Sequence, residues 1–202
     1  MKLNKEERED IIKKLKSLFR EQGYKGGKEL AYRKQGENFI CIRYSIVDRK
    51  RLSIMLDIKK YTYDEWFWDI MDMSDNRKMG DSFRSIGAFV SPSIIIADFL
   101  KEPEVFSDMF LRDCVEKVQS QLESFVTKHD INEYVLSGTD FEDGGKLLDG
   151  NLLKCLAYCD LGNVSAAKKI AKEEVQKGRD GGFETEGKSF FEWMLLYNGP
   201  GQ

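Results

Sequence analysis

The sequence contains a single histidine, His129. Nucleophilic cysteine and serine sites commonly need a histidine as their base, so any such site in this chain would have to use His129. Cys114 lies 15 residues earlier on the predicted central helix, which separates the two by roughly 22 Å. We interpret His129 as a surface residue after a helix end, and we assign no catalytic residue.

Long apolar runs are also absent. No segment approaches the roughly 18 consecutive apolar residues that a membrane span requires, and the opening MKLNKEEREDII has no apolar run behind its positive charges. The four cysteines are scattered through apolar periodic segments, which favours reduced core residues over disulfides. We therefore expect a cytoplasmic protein without a membrane partner.

Known cofactor and metal motifs are missing as well. The stretch GYKGGKE at residues 23–29 fails as a phosphate loop, because its spacing is wrong and no serine or threonine follows the lysine. Cys155 and Cys159 lie one helical turn apart, but zinc would need two further ligands and no paired CxxC exists. We expect neither a cofactor nor a metal.

Charge is distributed unevenly along the chain. Residues 1–60 carry 17 Lys and Arg against 9 Asp and Glu, a net charge of +8, whereas the remainder carries a net charge of −11. This division could indicate a basic arm for nucleic acid or two mutually attracting parts of one fold. We favour the second, because acids are interspersed among the bases and no unbroken basic run with stacking aromatics occurs. A nucleic-acid partner is not expected.

Residues 51–73 contain the clearest pattern. A period of two, with Leu52, Ile54, Leu56 and Ile58 on one side, predicts a strand with one buried face. From Tyr63 onward the apolar spacing becomes helical. A strand is therefore predicted to run straight into a short helix.

That helix is acidic and aromatic. Residues 61–75 contain five acids and no base, and Glu65, Asp69 and Asp72 follow helical spacing. Such a row can be a solvated face, a partner-binding face, or a pair of catalytic or cation-binding carboxylates. An exposed tryptophan rimmed by acids would suit a basic protein partner. The candidate partner-binding residues are Glu65, Trp66, Trp68, Asp69 and Asp72.

The other elements follow from local patterns. Asn4 and Glu7 resemble a capping box before a helix that ends near Gly23. Strands are predicted at residues 29–34, 38–47 and 83–90, residues 94–96 are strand or buried helix, and a long helix begins at Pro103 and ends near residue 128. The predicted class is α+β: an antiparallel sheet of four to five strands covered by an N-terminal and a long central helix, followed by a helical C-terminal part.

Small residues mark the C-terminal part. Ala157, Tyr158, Gly162, Ala167 and Ala171 form a pattern that resembles one tetratricopeptide-type hairpin over about 35 residues; a generic helix pair is the alternative. The predicted domains are residues 1–128, an α+β domain, and residues 129–202, a helical hairpin and C-terminal helix packed on it.

The helix with Leu18-Phe19 and Gly23-Tyr24 at its end, followed by Tyr32-Arg33 and a strand meander, resembles small bacterial proteins of a domain-of-unknown-function family. The similarity covers roughly residues 5–100, and some relatives are taken to be immunity proteins against polymorphic toxins. The resemblance implies a non-catalytic module that binds a basic protein such as a toxin. The alternative is an enzyme or small-ligand binder whose pocket uses Asp57, Asp64 or Glu65.

Overall fold

The computed structural model describes residues 2–85, 89–138 and 149–199, together with the backbone of residues 146–147. The helices are α1 (Lys5–Glu21), α2 (Tyr61–Ile70), α3 (Asp108–Lys128), α4 (Ile131–Ser137), α5 (Gly150–Asp160), α6 (Val164–Gln176) and α7 (Phe190–Leu196). The strands are β1 (Leu30–Gln35), β2 (Asn38–Val47), β3 (Arg51–Lys60), β4 (Ile94–Lys101), β5 (Lys146–Leu147), β6 (Glu184–Thr185) and β7 (Lys188–Ser189).

The chain forms two compact units. Unit 1 comprises Met1–Ile58, Ile95–His129 and Phe141–Lys146, and unit 2 comprises Lys59–Ile94, Asp130–Asp140 and Leu147–Gln202. The segment 59–94, which the sequence analysis assigns to the domain 1–128, therefore makes its contacts with the C-terminal helices. The grouping of α2 with these helices determines the surroundings of the acidic residues.

Unit 1 contains the main sheet, whose strands follow the order β1-β2-β3-β4-β5. Strands β1 and β2 pair antiparallel, with Gln35 opposite Asn38 and Leu30 opposite Arg43, because Gly36 adopts a positive φ that permits the tight turn between them. Helix α1 packs against β1, β2 and α3. This α+β architecture, with an antiparallel sheet and covering helices, confirms the predicted fold class.

Helix α1 begins where the capping pattern places it. The Asn4 side chain accepts a hydrogen bond from the Glu7 amide at 2.9 Å, and the Glu7 carboxylate accepts one from the Asn4 amide at 2.7 Å. The predicted capping box is therefore present. Its buried stripe contains Ile11, Ile12, Leu15 and Phe19.

Strand β3 alternates as predicted only over its first part. The four apolar residues Leu52, Ile54, Leu56 and Ile58 are fully buried. Near its C-terminal end the polar side chains of Asp57 and Lys59 are buried too. In unit 1 the Asp57 carboxylate forms an ion pair with Arg43 Nη1 at 2.5 Å. This pair offsets part of the free-energy cost of removing the carboxylate from water.

Two predicted elements have different bounds. The strand predicted at residues 83–90 is wrong over its described residues, because Asp81–Arg84 forms a 3-10 helix and residues 85, 89 and 90 are turn or bend; residues 86–88 lie outside the described residues. The central helix begins at Asp108, not at Pro103, because the Ser107 hydroxyl caps it by accepting from the Phe110 amide at 3.1 Å. The ambiguous run at residues 94–96 is strand, within β4.

Unit 2 is mainly helical. Helix α5 packs against α2, α4 and α6, and α7 packs against α2 and α6. The small residues Ala157, Ala167 and Ala171 are fully buried, as the helix-pair pattern predicts. The short helix α4 was not predicted from the sequence. Over the described residues no helix has the length and apolar character that crossing a bilayer demands.

All four cysteines are buried, and none of them is in a disulfide bond. Burial raises the pKa of the Cys159 thiol to about 12 and that of Cys155 further still. Both thiols are therefore protonated at neutral pH, which disfavours nucleophilic or metal-binding roles.

Candidate functional site

Helix α2 starts directly at the end of β3. Lys60 is its N-cap residue and adopts an extended backbone, so the strand passes into the helix without a loop. The buried face carries Tyr63, Phe67 and Ile70. The Phe67 ring stacks on Phe190 of α7 at a centroid distance of 5.6 Å, which places α7 over the aromatic side of α2.

Asp64 lies on the buried side of α2 and belongs to a compact ion network. Its Oδ1 atom accepts hydrogen bonds from Lys59 Nζ at 2.7 Å and from the amide and hydroxyl of Ser91 at 2.8 Å each. Both charged side chains are almost completely buried. A buried carboxylate with these partners holds the segment around Ser91 against α2.

Arg84 contacts both acids of this turn, and its Nη1 atom lies 3.6 Å from Asp64 Oδ2. Its guanidinium donates to the Tyr61 carbonyl at 2.9 Å and to Glu65 Oε1 at 3.2 Å. The same group lies 3.6 Å from the Tyr61 ring centroid and 4.8 Å from that of Trp68. Glu65, which the sequence places on a partner-binding face, therefore has a buried arginine as its partner.

Trp68 is fully buried. Its Nε1 atom donates to the Phe89 carbonyl at 2.6 Å, and its ring contacts Phe83 at 5.8 Å. Its ring therefore lies in the core of unit 2, and we leave Trp68 out of the candidate surface. Trp66 is half-buried and meets Tyr197 edge to face at 6.5 Å.

Asp69 and Asp72 are close in sequence but lie in different environments. The Asp69 side chain is only 9% exposed, forms an ion pair with Arg77 and accepts from the Ser74 hydroxyl at 3.0 Å. Asp72 is exposed and follows the end of α2 at Ile70, with a positive φ of 57°. The predicted helical row of three acids is therefore wrong beyond Asp69, because the helix ends before Asp72.

A groove of about 470 Å³ in unit 2 joins these two acids to the C-terminal aromatics. We call it the Asp72 groove. Its lining comprises Asp69, Ile70, Asp72, Ser74, Arg77, Trp193, Leu196, Tyr197, Asn198 and Gly199. Of the five candidate residues, the structure brings Asp69 and Asp72 into this groove and places Trp66 against Tyr197.

The aromatic residues Trp193 and Tyr197 of the groove have polar and charged neighbours. Trp193 Nε1 donates to the Thr185 carbonyl at 3.1 Å, and Lys188 Nζ lies 4.5 Å from the Trp193 ring centroid. Burial, reinforced by the nearby Asp69 charge, raises the pKa of Tyr197 to about 12. Tyr197 is therefore neutral at physiological pH, and the lining carries two carboxylates against the single guanidinium of Arg77.

The Asp72 carboxylate has no hydrogen-bond or ion-pair partner among the residues that the structure describes, although the Asp72 amide donates to the Asp69 carbonyl at 3.4 Å. Asp69 is satisfied by Ser74 and Arg77. Asp72 is thus the lining carboxylate that remains available to a cation from outside. Its positive φ is tolerated by aspartate and asparagine better than by most residues.

Arg77, Trp193 and Tyr197 were missed by sequence reasoning. Arg77 is the first base after five acids and lies eight residues from Asp69, beyond the helix end. Periodicity relates residues within one element, so it gives no signal for this pair. The apolar C-terminal segment predicted a covered helix, but not which residues would line a groove.

Comparison of the chain with protein-family models, curated proteins and solved structures found no match. Within the described residues no three His, Cys, Asp or Glu side chains are grouped in a way that could hold a metal ion.

Proposed function

We propose that the protein is a non-catalytic, immunity-like binding module that holds a basic protein, such as a toxin, at the Asp72 groove. The observation that carries the proposal is Asp72, an exposed carboxylate without a described partner beside the aromatic residues Trp193 and Tyr197. A lysine or arginine of the partner would pair with this carboxylate and pack along the rings.

The wider charge distribution supports the same partner class. Unit 2, which contains the groove, carries 12 Lys and Arg against 17 Asp and Glu, a net charge of −5, and an acidic field accelerates the association of a basic protein. A groove of about 470 Å³ accommodates side chains of a partner's loop, in the size range of ordinary binding pockets.

The alternative function, an enzyme or small-ligand binder, depends on Asp57, Asp64 or Glu65. Each of these carboxylates has a basic partner within its own unit: Arg43 for Asp57, Lys59 for Asp64 and Arg84 for Glu65. These partners occupy hydrogen-bonding positions of the carboxylates that a ligand would otherwise use. The geometry therefore favours the binding proposal.

The test uses affinity capture from a lysate of the source cell, including products of neighbouring genes, followed by calorimetric titration with the purified captured protein. Asp72→Asn removes the groove charge and keeps a residue that tolerates positive φ. Asp75→Asn is the matched control, because Asp75 is 92% exposed, lies three residues away and is not part of the lining.

We expect Asp72→Asn to weaken binding about tenfold and Asp75→Asn to leave it unchanged. Binding should also weaken as salt is raised, since the charges involved are exposed. Equal affinities for the two variants and the wild type would refute the groove as the binding site.

A further inference from the structure

The Asp72 groove already contains one arginine. Arg77 forms an ion pair with Oδ2 of Asp69, while Ser74 Oγ donates to Oδ1 at 3.0 Å. Both Asp69 and Arg77 line the groove. The buried acid of the groove is therefore occupied by a guanidinium that belongs to the chain itself.

This internal pair can be displaced. The Arg77 side chain is 44% exposed, although its partner Asp69 is nearly buried. An incoming guanidinium would keep the nearly buried Asp69 carboxylate paired, so the exchange avoids the free-energy cost of leaving that charge alone. A guanidinium supplied by a partner could thus replace Arg77 at small cost.

The Asp69 carboxylate of the groove already pairs with a guanidinium. A planar guanidinium can donate two parallel hydrogen bonds to a carboxylate and stack on aromatic rings, whereas an ammonium is a compact, strongly hydrated charge. Within the groove the carboxylate of Asp69 is paired with a guanidinium, whereas the ammonium of Lys188 lies over the Trp193 ring, 4.5 Å from its centroid.

We infer that Arg77 is an intramolecular stand-in for an arginine side chain of the partner, and that the groove selects arginine over lysine. This inference rests on the proposed function. While Arg77 is in place, the three charged groups of the lining sum to −1; without it, Asp69 and Asp72 together present −2. Arg77 therefore lowers the affinity of the groove and restricts it to partners able to compete for Asp69.

The test measures fluorescence anisotropy of two labelled hexapeptides, one alternating glycine with arginine and the other glycine with lysine, at low ionic strength. Arg77→Met removes the charge and keeps much of the side-chain length. Lys78→Met is the matched control, because Lys78 is the adjacent base, is 81% exposed and pairs with Asp75 outside the lining. Asp72→Asn and Asp75→Asn complete the set, and a urea transition for each variant verifies that it is folded.

We expect Arg77→Met to bind the arginine peptide about threefold more tightly than wild type, with Lys78→Met unchanged. The arginine peptide should bind wild type more tightly than the lysine peptide. If Asp72→Asn weakens binding but Arg77→Met does not strengthen it, or if both peptides bind equally, this inference is overturned while the proposed function stands. If no peptide binds, or if Asp72→Asn and Asp75→Asn behave alike, the proposed function fails with it.

Discussion

Lys59 Nζ and Asp64 Oδ1 lie 2.7 Å apart, joining the last residues of β3 to the first turn of α2. Both side chains are almost completely removed from solvent. Both residues belong to unit 2, where the pair ties Lys59 to the first turn of α2. It also places Asp69, Asp72 and the groove relative to the core of unit 2.

Asp64→Asn should therefore destabilise the protein by about 3–5 kcal/mol, because it leaves the Lys59 charge buried without its counterion. Urea denaturation monitored by circular dichroism measures this loss. The exposed pair of Lys78 and Asp75 provides the control: Lys78→Met should change the free energy of unfolding by less than about 0.5 kcal/mol. A loss below about 1 kcal/mol for Asp64→Asn would show that the pair does not hold the junction.

Neutralising Glu65 should lower the stability of the protein, whereas neutralising Asp72 should not. Glu65→Gln should cost about 1–2 kcal/mol of stability, because Glu65 accepts from the buried Arg84 guanidinium. Asp72→Asn should leave the thermal transition nearly unchanged, because Asp72 is exposed and asparagine tolerates its positive φ. If Glu65→Gln melts like the wild type, the contact with Arg84 contributes no stability and Glu65 returns to the candidate surface.

The close packing of the α5 and α6 helices predicts intolerance to larger side chains. Ala171 is fully buried on α6, so Ala171→Leu should overpack the interface and cost about 1–3 kcal/mol. Lys172→Leu places the same side chain at the next, exposed position and should change stability by less than about 0.5 kcal/mol. Equal urea midpoints for the two variants would contradict the observed packing.

The stability of the protein should depend on pH through the carboxyl group of Glu174. Burial raises the pKa of its carboxyl, but hydrogen bonds from Lys177, Asn151 and Arg179 outweigh it and hold the pKa below its ordinary value. A depressed folded-state pKa contributes stability above the unfolded-state value and loses it as pH falls through the folded-state value.

Glu174→Gln should accordingly lower the free energy of unfolding at pH 7 by about 1 kcal/mol. The difference from wild type should shrink as pH falls below about 4, where the wild-type carboxyl also becomes protonated. Urea titrations at pH 7 and pH 3 measure both values. A difference that grows toward low pH would contradict the assigned hydrogen bonds.

Local patterns were sufficient for much of the fold. The capping pair Asn4 and Glu7 marks the start of α1, and β2 has the bounds that its alternation predicts. These signals act within a few residues, where backbone geometry and side-chain period are tightly linked. The α+β class followed from the resulting order of elements.

The site was harder to predict because its partners are distant in sequence. Arg84 lies 19 residues from Glu65, and Arg77 lies eight residues from Asp69. Because no base is near these acids in sequence, the pattern indicated an exposed acidic face. In the structure Arg84 pairs with Glu65, and Arg77 pairs with Asp69. The burial of Trp68 could not be predicted for the same reason, since it depends on Phe83 and Phe89 of a later segment.

Hydrogen exchange of the protein with and without its captured basic partner tests the binding account most directly. We predict that the partner slows exchange at residues 69–77 and 193–199, which form the Asp72 groove, and leaves residues 1–58 of unit 1 unchanged. Slowed exchange confined to the basic residues 1–58, with none at the groove, would contradict the account and place the partner on the other unit.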